Sequence, residues 1–196
     1  MKISNLLIDQ ESSLRKKIKA YKKVAQEIQA FLSKHPDEWG RFQSAFNMEL
    51  NGIFRDLMNF EKQCLTKGEE QSVYKLKRIF INRLRKEFIH GEYIDWSLKK
   101  PYGYSGDFKI IDDIYRNDPK TKGFDRLYDN YYQMSSICNA VRNRKEDFKQ
   151  ILKQLILKNS QRKIKIMDLA AGPCRDVHEI LSDPMIQDKQ IIFHCY

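Results

Sequence analysis

The stretch IKIMDLAAGPCRDVHEIL, residues 164–181, decides how this sequence is interpreted. A short β-branched run ends on Asp168, a turn of small residues follows, and CRDVHEILS reads as a helix beginning at Cys174. A second apolar run, QIIFHCY, occupies residues 190–196. Strand, turn, helix and strand is the first β-α-β unit of a Rossmann-like α/β sheet. In such a unit the turn lies at the carboxyl edge of the sheet, where ligands bind and backbone amides of the helix are free.

The first 158 residues show helical periodicity instead. Apolar residues recur every three or four positions in segments 14–31, 39–60 and 73–88, as one face of a helix requires. Pro36 suits the first turn of the second of these helices. Residues 91–107 break the pattern, and helical spacing resumes at Phe108, in 124–134, and in a long helix over 136–158. That last helix would bury one apolar side: Ile137, Val141, Phe148, Ile151, Leu152 and Leu155.

These patterns predict two regions. Residues 1–158 form a mainly helical N-terminal region, a bundle plus a lid-like loop over 95–107. Residues 159–163 contain the boundary, and residues 164–196 begin a Rossmann-like α/β domain. Asp107 is the expected N-cap of the short helix that starts at Phe108.

Composition bounds the class of protein. The chain has 196 residues, 41% hydrophobic and 32% charged, which supports a packed core and argues against general disorder. No apolar run approaches the roughly 18 residues of a membrane span, and the opening MKISNLLIDQESS lacks a signal-peptide core. The four cysteines have no metal-ligand spacing, so we expect no metal and a reduced, cytoplasmic setting.

The formal charge of +10 has two interpretations. One is binding to nucleic acid or to an acidic membrane. The other is a set of solvated helix faces, which we favour because acidic residues interrupt the basic segment 142–158. No zinc-finger spacing and no aromatic RNA-binding signature accompanies the charge, so nucleic acid is disfavoured as a partner.

The turn DLAAGPCRD resembles motif I of class I S-adenosylmethionine-dependent methyltransferases, whose pattern is acidic-x-Gly-x-Gly-x-Gly. Asp168 stands at the acidic position, which orients the methionine end of the cofactor in that family. Ala170, Gly172 and Cys174 stand at the three glycine positions, and only the middle glycine is retained. The resemblance implies that Asp168, Ala170 and Gly172 contact S-adenosylmethionine.

Two upstream stretches narrow the resemblance. KKPYGYSGDF (99–108) and NAVRNR (139–144) are similar to signatures of a bacterial methyltransferase group with a helical N-terminal region. That group is described as 3-hydroxypalmitic acid methyl ester biosynthesis proteins, which make an extracellular factor. The resemblance covers roughly residues 95–196 and implies methyl transfer to a small-molecule or fatty-acid carboxylate.

The residues themselves suggest further cofactor contacts. Tyr104 could stack on an adenine or a sulfonium-bearing group, although a tight connection between helices explains it equally well. Arg142 and Arg144 point in different directions on a helix, and we prefer Arg142 as the ligand of a carboxylate. Cys174 is a candidate nucleophile because a helix N-terminus lowers a thiol pKa. Catalytic residues are not assigned.

The second acidic residue of the superfamily is expected immediately after the second strand, and the chain ends at Tyr196. We therefore expect the N-terminal part of a longer methyltransferase, with little or no methyl-transfer activity alone. The alternative is a non-enzymatic helical interaction module that forms a homodimer through an exposed edge strand.

Overall fold

The computed structural model describes residues 5–196, except for the side chains of residues 5–8 and 85–88. Residues 1–4, at the start of the stretch examined for a signal peptide, and the side chain of Phe88 lie outside the described part. The described chain is mostly helical, with one two-stranded parallel sheet. Its elements are α1 (Asn5–Leu32), a 3₁₀ helix (Pro36–Arg41), α2 (Gln43–Thr66), α3 (Glu70–Phe88), α4 (Glu92–Lys99), α5 (Phe108–Arg116), α6 (Gly123–Gln133), α7 (Ser136–Lys158), β1 (Lys163–Asp168), α8 (Arg175–Leu181), a 3₁₀ helix (Pro184–Ile186) and β2 (Gln190–Cys195).

The chain divides into two compact units. The helical unit is the chain up to Ile94 together with Lys120–Tyr131, and the sheet unit is Asp95–Pro119 together with Tyr132–Tyr196. In the helical unit, the apolar stripes of α1, α2 and α3 pack around the first turns of α6. Phe46 lies at the centre of this core, with its ring 4.8 Å from that of Tyr128.

In the sheet unit, β1 and β2 pair in parallel, with Ile164 opposite Ile191 and Asp168 opposite Cys195. Alternate side chains of both strands cover the core formed by α7, α8 and the 3₁₀ helix; that core is Leu152, Ile156, Ile180 and Ile186. The opposite face of the sheet exposes apolar side chains, since Met167 is 67% and Ile192 39% exposed. One face of the sheet is therefore covered and the other is open.

The predicted bounds of α7 are confirmed, but its predicted buried face is wrong. Ile137, Ile151 and Leu155 are all at least 60% exposed, whereas Leu152 and Ile156 are buried. The buried side also contains Cys138 and Lys145. The sequence does not indicate that this side of α7 is buried, because it contains lysine residues. In the structure their ammonium groups are paired with acidic residues of the following segment.

Two further expectations about the helices are corrected. Residues 92–99 were predicted to be irregular, yet they form α4 directly after Gly91. The carboxylate of Asp129 accepts hydrogen bonds from the amides of Glu92 and Tyr93, at 3.1 and 3.2 Å. This cap comes from a distant residue, so no local signal announces the helix. Pro36 begins a 3₁₀ helix, and α2 itself starts at Gln43.

The predicted lid-like loop is accordingly shorter than residues 95–107. Its first half is the end of α4, and the non-helical connection is residues 100–107, which we call the aromatic loop. Lys100, at its start, has a left-handed φ of 49°. Asp107, at its end, caps α5 as predicted.

Candidate functional site

A cavity of about 520 Å³ opens in the sheet unit beside the carboxyl end of β1. Its wall combines the turn after β1, the aromatic loop, α5 and α7. The lining residues are Tyr104, Gly106, Phe108, Ile111, Tyr115, Arg144, Lys145, Phe148, Asp168, Ala170, Ala171, Gly172, Pro173 and Asp176. The volume falls in the range of ordinary small-molecule sites.

The turn after β1 has an unusual backbone. Ala170, Gly172 and Cys174 all adopt left-handed φ angles, of 59°, 58° and 53°. Glycine adopts this conformation freely, whereas residues with a Cβ rarely do. These three residues occupy the three glycine positions of the motif that the turn resembles in sequence. The backbone thus has the shape of a glycine turn although only one glycine remains.

Hydrogen bonds to the second strand hold this turn in place. The amide of Tyr196 donates to the Asp168 carbonyl at 3.0 Å, and the amide of Ala171 donates to the Tyr196 carbonyl at 3.1 Å. The amide of Cys174 then donates to the Ala171 carbonyl at 3.2 Å. Strand pairing therefore continues beyond β1 and fixes the turn against the end of β2.

No side chain crowds the middle of the turn. A Cβ placed on Gly172 would meet no atom within 4 Å. The backbone here faces open space in the cavity, which is the arrangement needed for close approach by a ligand.

Two carboxylates give the turn a negative character. Partial burial and the nearby charge of Asp176 raise the pKa of Asp168 above its ordinary value. Crowded carboxylates of this kind favour a cationic neighbour, because a positive charge offsets their mutual repulsion.

The nucleophile hypothesis for Cys174 is not favoured by its surroundings. Burial raises the pKa of its thiol, and contact with Cys195 and the charges of Asp168 and Asp176 raise it further. Burial and these neighbours together disfavour a preformed Cys174 thiolate, which an activated catalytic nucleophile would need.

The aromatic loop is anchored at its end by Asp107, whose side chain is fully buried. One carboxylate oxygen accepts from the amides of Lys109 and Ile110, both at 3.1 Å. The other accepts from the indole N–H of Trp96 at 2.7 Å. This anchor leaves Tyr104, 56% exposed, on the wall of the cavity. Tyr102 instead packs against the rings of Trp96 and Phe108, 6.5 and 5.1 Å away.

The two candidate arginines, Arg142 and Arg144, have different surroundings in the structure. The guanidinium of Arg142 is bound by protein acceptors: the carbonyls of Ile114 and Gln133 and the side chains of Gln133 and Asn139, at 2.6–3.3 Å. Arg142 is not among the residues that line the cavity, so the preference for it over Arg144 is corrected. Arg144 lines the cavity, is exposed, and makes no hydrogen bond or ion pair within the described part of the chain.

Ion pairs fix the helices that form the cavity wall. Arg175 donates to Asp112 at 2.6 Å, which ties the start of α8 to α5. Lys145 and Lys149 of α7 both bind Glu179 of α8, with Lys145 at 2.7 Å. Burial would raise the pKa of Glu179, but the bonds from both lysines outweigh it and lower the pKa.

Four of the five predicted cofactor contacts thus meet at one cavity: Tyr104, Asp168, Ala170 and Gly172. Sequence reasoning assigned Phe148 to the buried side of α7 and gave no role in the site to Tyr115 or Asp176. Phe148 follows Arg144 by one helical turn, which is the only sequence signal that relates the two.

In the described part of the chain, no group of three His, Cys, Asp or Glu side chains is placed to hold a metal ion. Across the same residues, no helix combines the length and the apolar character needed to span a membrane.

An acidic strand end, a glycine-type turn and an adjoining cavity form a candidate small-molecule site at the carboxyl edge of a parallel strand. A family model described as "Putative methyltransferase" matches residues 29–196. Because the match covers most of the chain, the protein belongs to this methyltransferase family. Neither the curated proteins nor the solved structures contain a significant match to the sequence.

Proposed function

We propose that the cavity beside β1 binds S-adenosylmethionine and that the sheet unit is the start of a Rossmann-like methyltransferase domain. The single observation that carries the proposal is the run of left-handed φ angles at residues 170, 172 and 174, next to Asp168. A turn of this shape brings backbone close to a ligand at the carboxyl edge of a parallel strand. Membership of the methyltransferase family supports S-adenosylmethionine as that ligand.

The residues present fit the charges of this cofactor. Asp168 and Asp176 would hold the methionine ammonium, whose positive charge relieves their repulsion. Arg144, with an uncommitted guanidinium on the wall, would bind the methionine carboxylate. Tyr104 would lie against the adenine or the sulfonium, which an aromatic face attracts.

When bound, S-adenosylmethionine supplies an electrophilic methyl group on sulfur. The contribution of this chain is to hold the reacting atoms in line and to exclude water. Phe108, Ile111 and Phe148 give the cavity apolar wall beside the charged groups. We propose a small-molecule or fatty-acid carboxylate as the acceptor, in line with the resemblance of segments 99–108 and 139–144.

The open face of the sheet bears on activity. Parallel sheets are normally covered on both faces, and here Met167 and Ile192 are exposed on one side. We propose that further strands and helices are needed to complete the domain, as in a longer methyltransferase acting in the cytoplasm. Residues 1–196 alone are then expected to bind cofactor weakly and to transfer little or no methyl group.

Calorimetric titration with S-adenosylmethionine tests the proposal. Asp168→Asn and Arg144→Gln each remove a charged hydrogen bond, worth about 1.5–3 kcal/mol, so each should weaken binding at least tenfold. The matched controls are Asp147→Asn, on the exposed side of α7, and Arg162→Gln, before the other end of β1. Both controls should bind as the unmodified chain does. Equal binding by Asp168→Asn and Asp147→Asn would reject the site.

A further inference from the structure

Cys174 and Cys195 lie at the same end of the sheet unit, and the thiol group of neither has a role in the proposed function. Both are free thiols; Cys174 is partly buried and Cys195 is exposed. The other two cysteines, Cys64 and Cys138, are buried in α2 and α7.

Backbone pairing brings the chain segments that carry the two cysteines close together. Cys195 is paired with Asp168 in the sheet register, and the next residue, Tyr196, accepts from the amide of Ala171 at 3.1 Å. The carbonyl of Ala171 in turn accepts from the amide of Cys174 at 3.2 Å. Ala171 is thus directly bonded both to Cys174 and to the residue that follows Cys195.

The side chains also share a face of the sheet. Successive residues of a strand alternate between faces, so Cys195 lies on the side of Ile191 and Phe193. Those two side chains pack against the core cluster that includes Ile180 of α8. Cys174 is the N-cap of the same helix, and Cys195 is close enough to it to raise the pKa of the Cys174 thiol.

The conformation of Cys174 gives a reason to look for a role. Its φ of 53° is left-handed, a conformation that glycine adopts without strain and that other residues occupy at a cost. A strained position that retains a reactive side chain next to a second such side chain points to a function for the pair.

We propose that Cys174 and Cys195 form a reversible redox site, in which a peroxide converts the two thiols into an intramolecular disulfide across the turn. Cys195, the exposed thiol, reacts first: its sulfur attacks one oxygen of hydrogen peroxide and the O–O bond breaks. The departing hydroxide takes the Cys195 proton and leaves as water, and Cys195 becomes a sulfenic acid. Cys174 sulfur then attacks Cys195 sulfur, the S–S bond forms, and the S–O bond breaks. The departing hydroxide takes the Cys174 proton and leaves as water. Two electrons pass from the sulfurs to the peroxide in total.

The disulfide would fasten the turn covalently to the end of β2. In the dithiol state, backbone hydrogen bonds make this connection. Oxidation would therefore fix the backbone that lines the cavity, and a thiol reductant would release it. This site does not depend on the identity of the ligand.

The test treats the purified chain with increasing hydrogen peroxide, quenches free thiols, and maps peptides by mass spectrometry without reduction. We expect a monomeric product with residues 174 and 195 joined, titratable thiols falling from four to two, and full recovery with a reductant. Cys64→Ser and Cys138→Ser should give the same linkage, whereas Cys174→Ser should leave Cys195 to oxidise further or to link two chains. Reaction of Cys195 without linkage to Cys174 in the unmodified chain, or linkage to Cys64 or Cys138, would overturn the proposal.

Discussion

Removal of the Asp107 carboxylate should weaken the sheet unit strongly, because one fully buried side chain serves three donors. Two of them are the α5 amides of Lys109 and Ile110, and loss of such a cap costs about 1 kcal/mol. The third is the Trp96 indole N–H, which would lose its acceptor at a cost of about 1–3 kcal/mol. We therefore expect Asp107→Ala to lower the free energy of unfolding by about 2–4 kcal/mol.

Two further variants separate these contributions. Asp107→Asn keeps one oxygen for the cap and directs its amide group at the indole N–H, so only the Trp96 bond is lost, at about 1–3 kcal/mol. Trp96→Phe removes the donor. In the double variant Asp107→Ala with Trp96→Phe no indole N–H remains unpaired, so the double variant should cost less than the sum of the singles by about 0.5–3 kcal/mol.

Urea unfolding followed by circular dichroism measures each free energy. Asp147→Ala, on the exposed side of α7, is the control and should change it by less than about 0.5 kcal/mol. If Asp107→Ala matched this control, or if the two single changes were simply additive, the carboxylate would not be the anchor of the aromatic loop.

Three other predictions follow from the same structure. Arg142→Gln should lower the free energy of unfolding by about 1.5–3 kcal/mol, because the guanidinium bonds to Ile114 and Gln133 are lost. Arg144→Gln should change the free energy of unfolding by less than about 0.5 kcal/mol. Equal effects of the two variants would contradict the different surroundings of Arg142 and Arg144. Gly172→Ala should lower the free energy of unfolding by about 1 kcal/mol, because residue 172 has a left-handed φ even though the space around it is open. Urea unfolding measures this change. An unchanged free energy of unfolding would mean that the turn relaxes. The pKa of Glu179 is lowered in the folded state. The contribution of Glu179 to the free energy of unfolding is therefore present above the unfolded-state pKa of about 4.3 and is lost as pH falls through the folded-state pKa. Glu179→Gln should therefore show a smaller loss of stability below pH about 4.3 than the unmodified chain does, and an unchanged acid profile would contradict this.

The strand, turn and helix around Asp168 were predictable because their signals are local. A β-branched run, a turn of small residues and an amphipathic stretch follow one another within residues 164–181. The same holds for Asp107, whose position directly before Phe108 predicts an N-cap.

The errors arise where a distant residue decides the structure. The start of α4 depends on Asp129, which lies more than thirty residues later and caps the amides of Glu92 and Tyr93. The side of α7 that faces the core depends on Glu179, whose carboxylate accepts a hydrogen bond from the buried Lys145. Neither Asp129 nor Glu179 can be identified as a partner from the sequence close to α4 or α7.

The different positions of Arg142 and Arg144 also depend on elements distant in sequence. The apolar stripe of α7 was taken as its core side, and Arg144 lies on that stripe between Val141 and Phe148. In the structure, part of this stripe faces the cavity, which is why Arg144 and Phe148 share its wall. Arg142 lies toward the ends of α5 and α6 and is bound by their carbonyls.

The lysines of α7 also constrain how its length can vary among related sequences. Lys145 and Lys149 bind Glu179, and one turn later Lys153 binds Asp183 at 2.5 Å. A single residue inserted between Lys145 and Lys153 would rotate the rest of the helix by about 100°, carrying Lys153 away from Asp183 and Leu152 out of the core. Insertions and deletions should therefore be absent from this part of α7 in related chains, even where its individual amino acids differ.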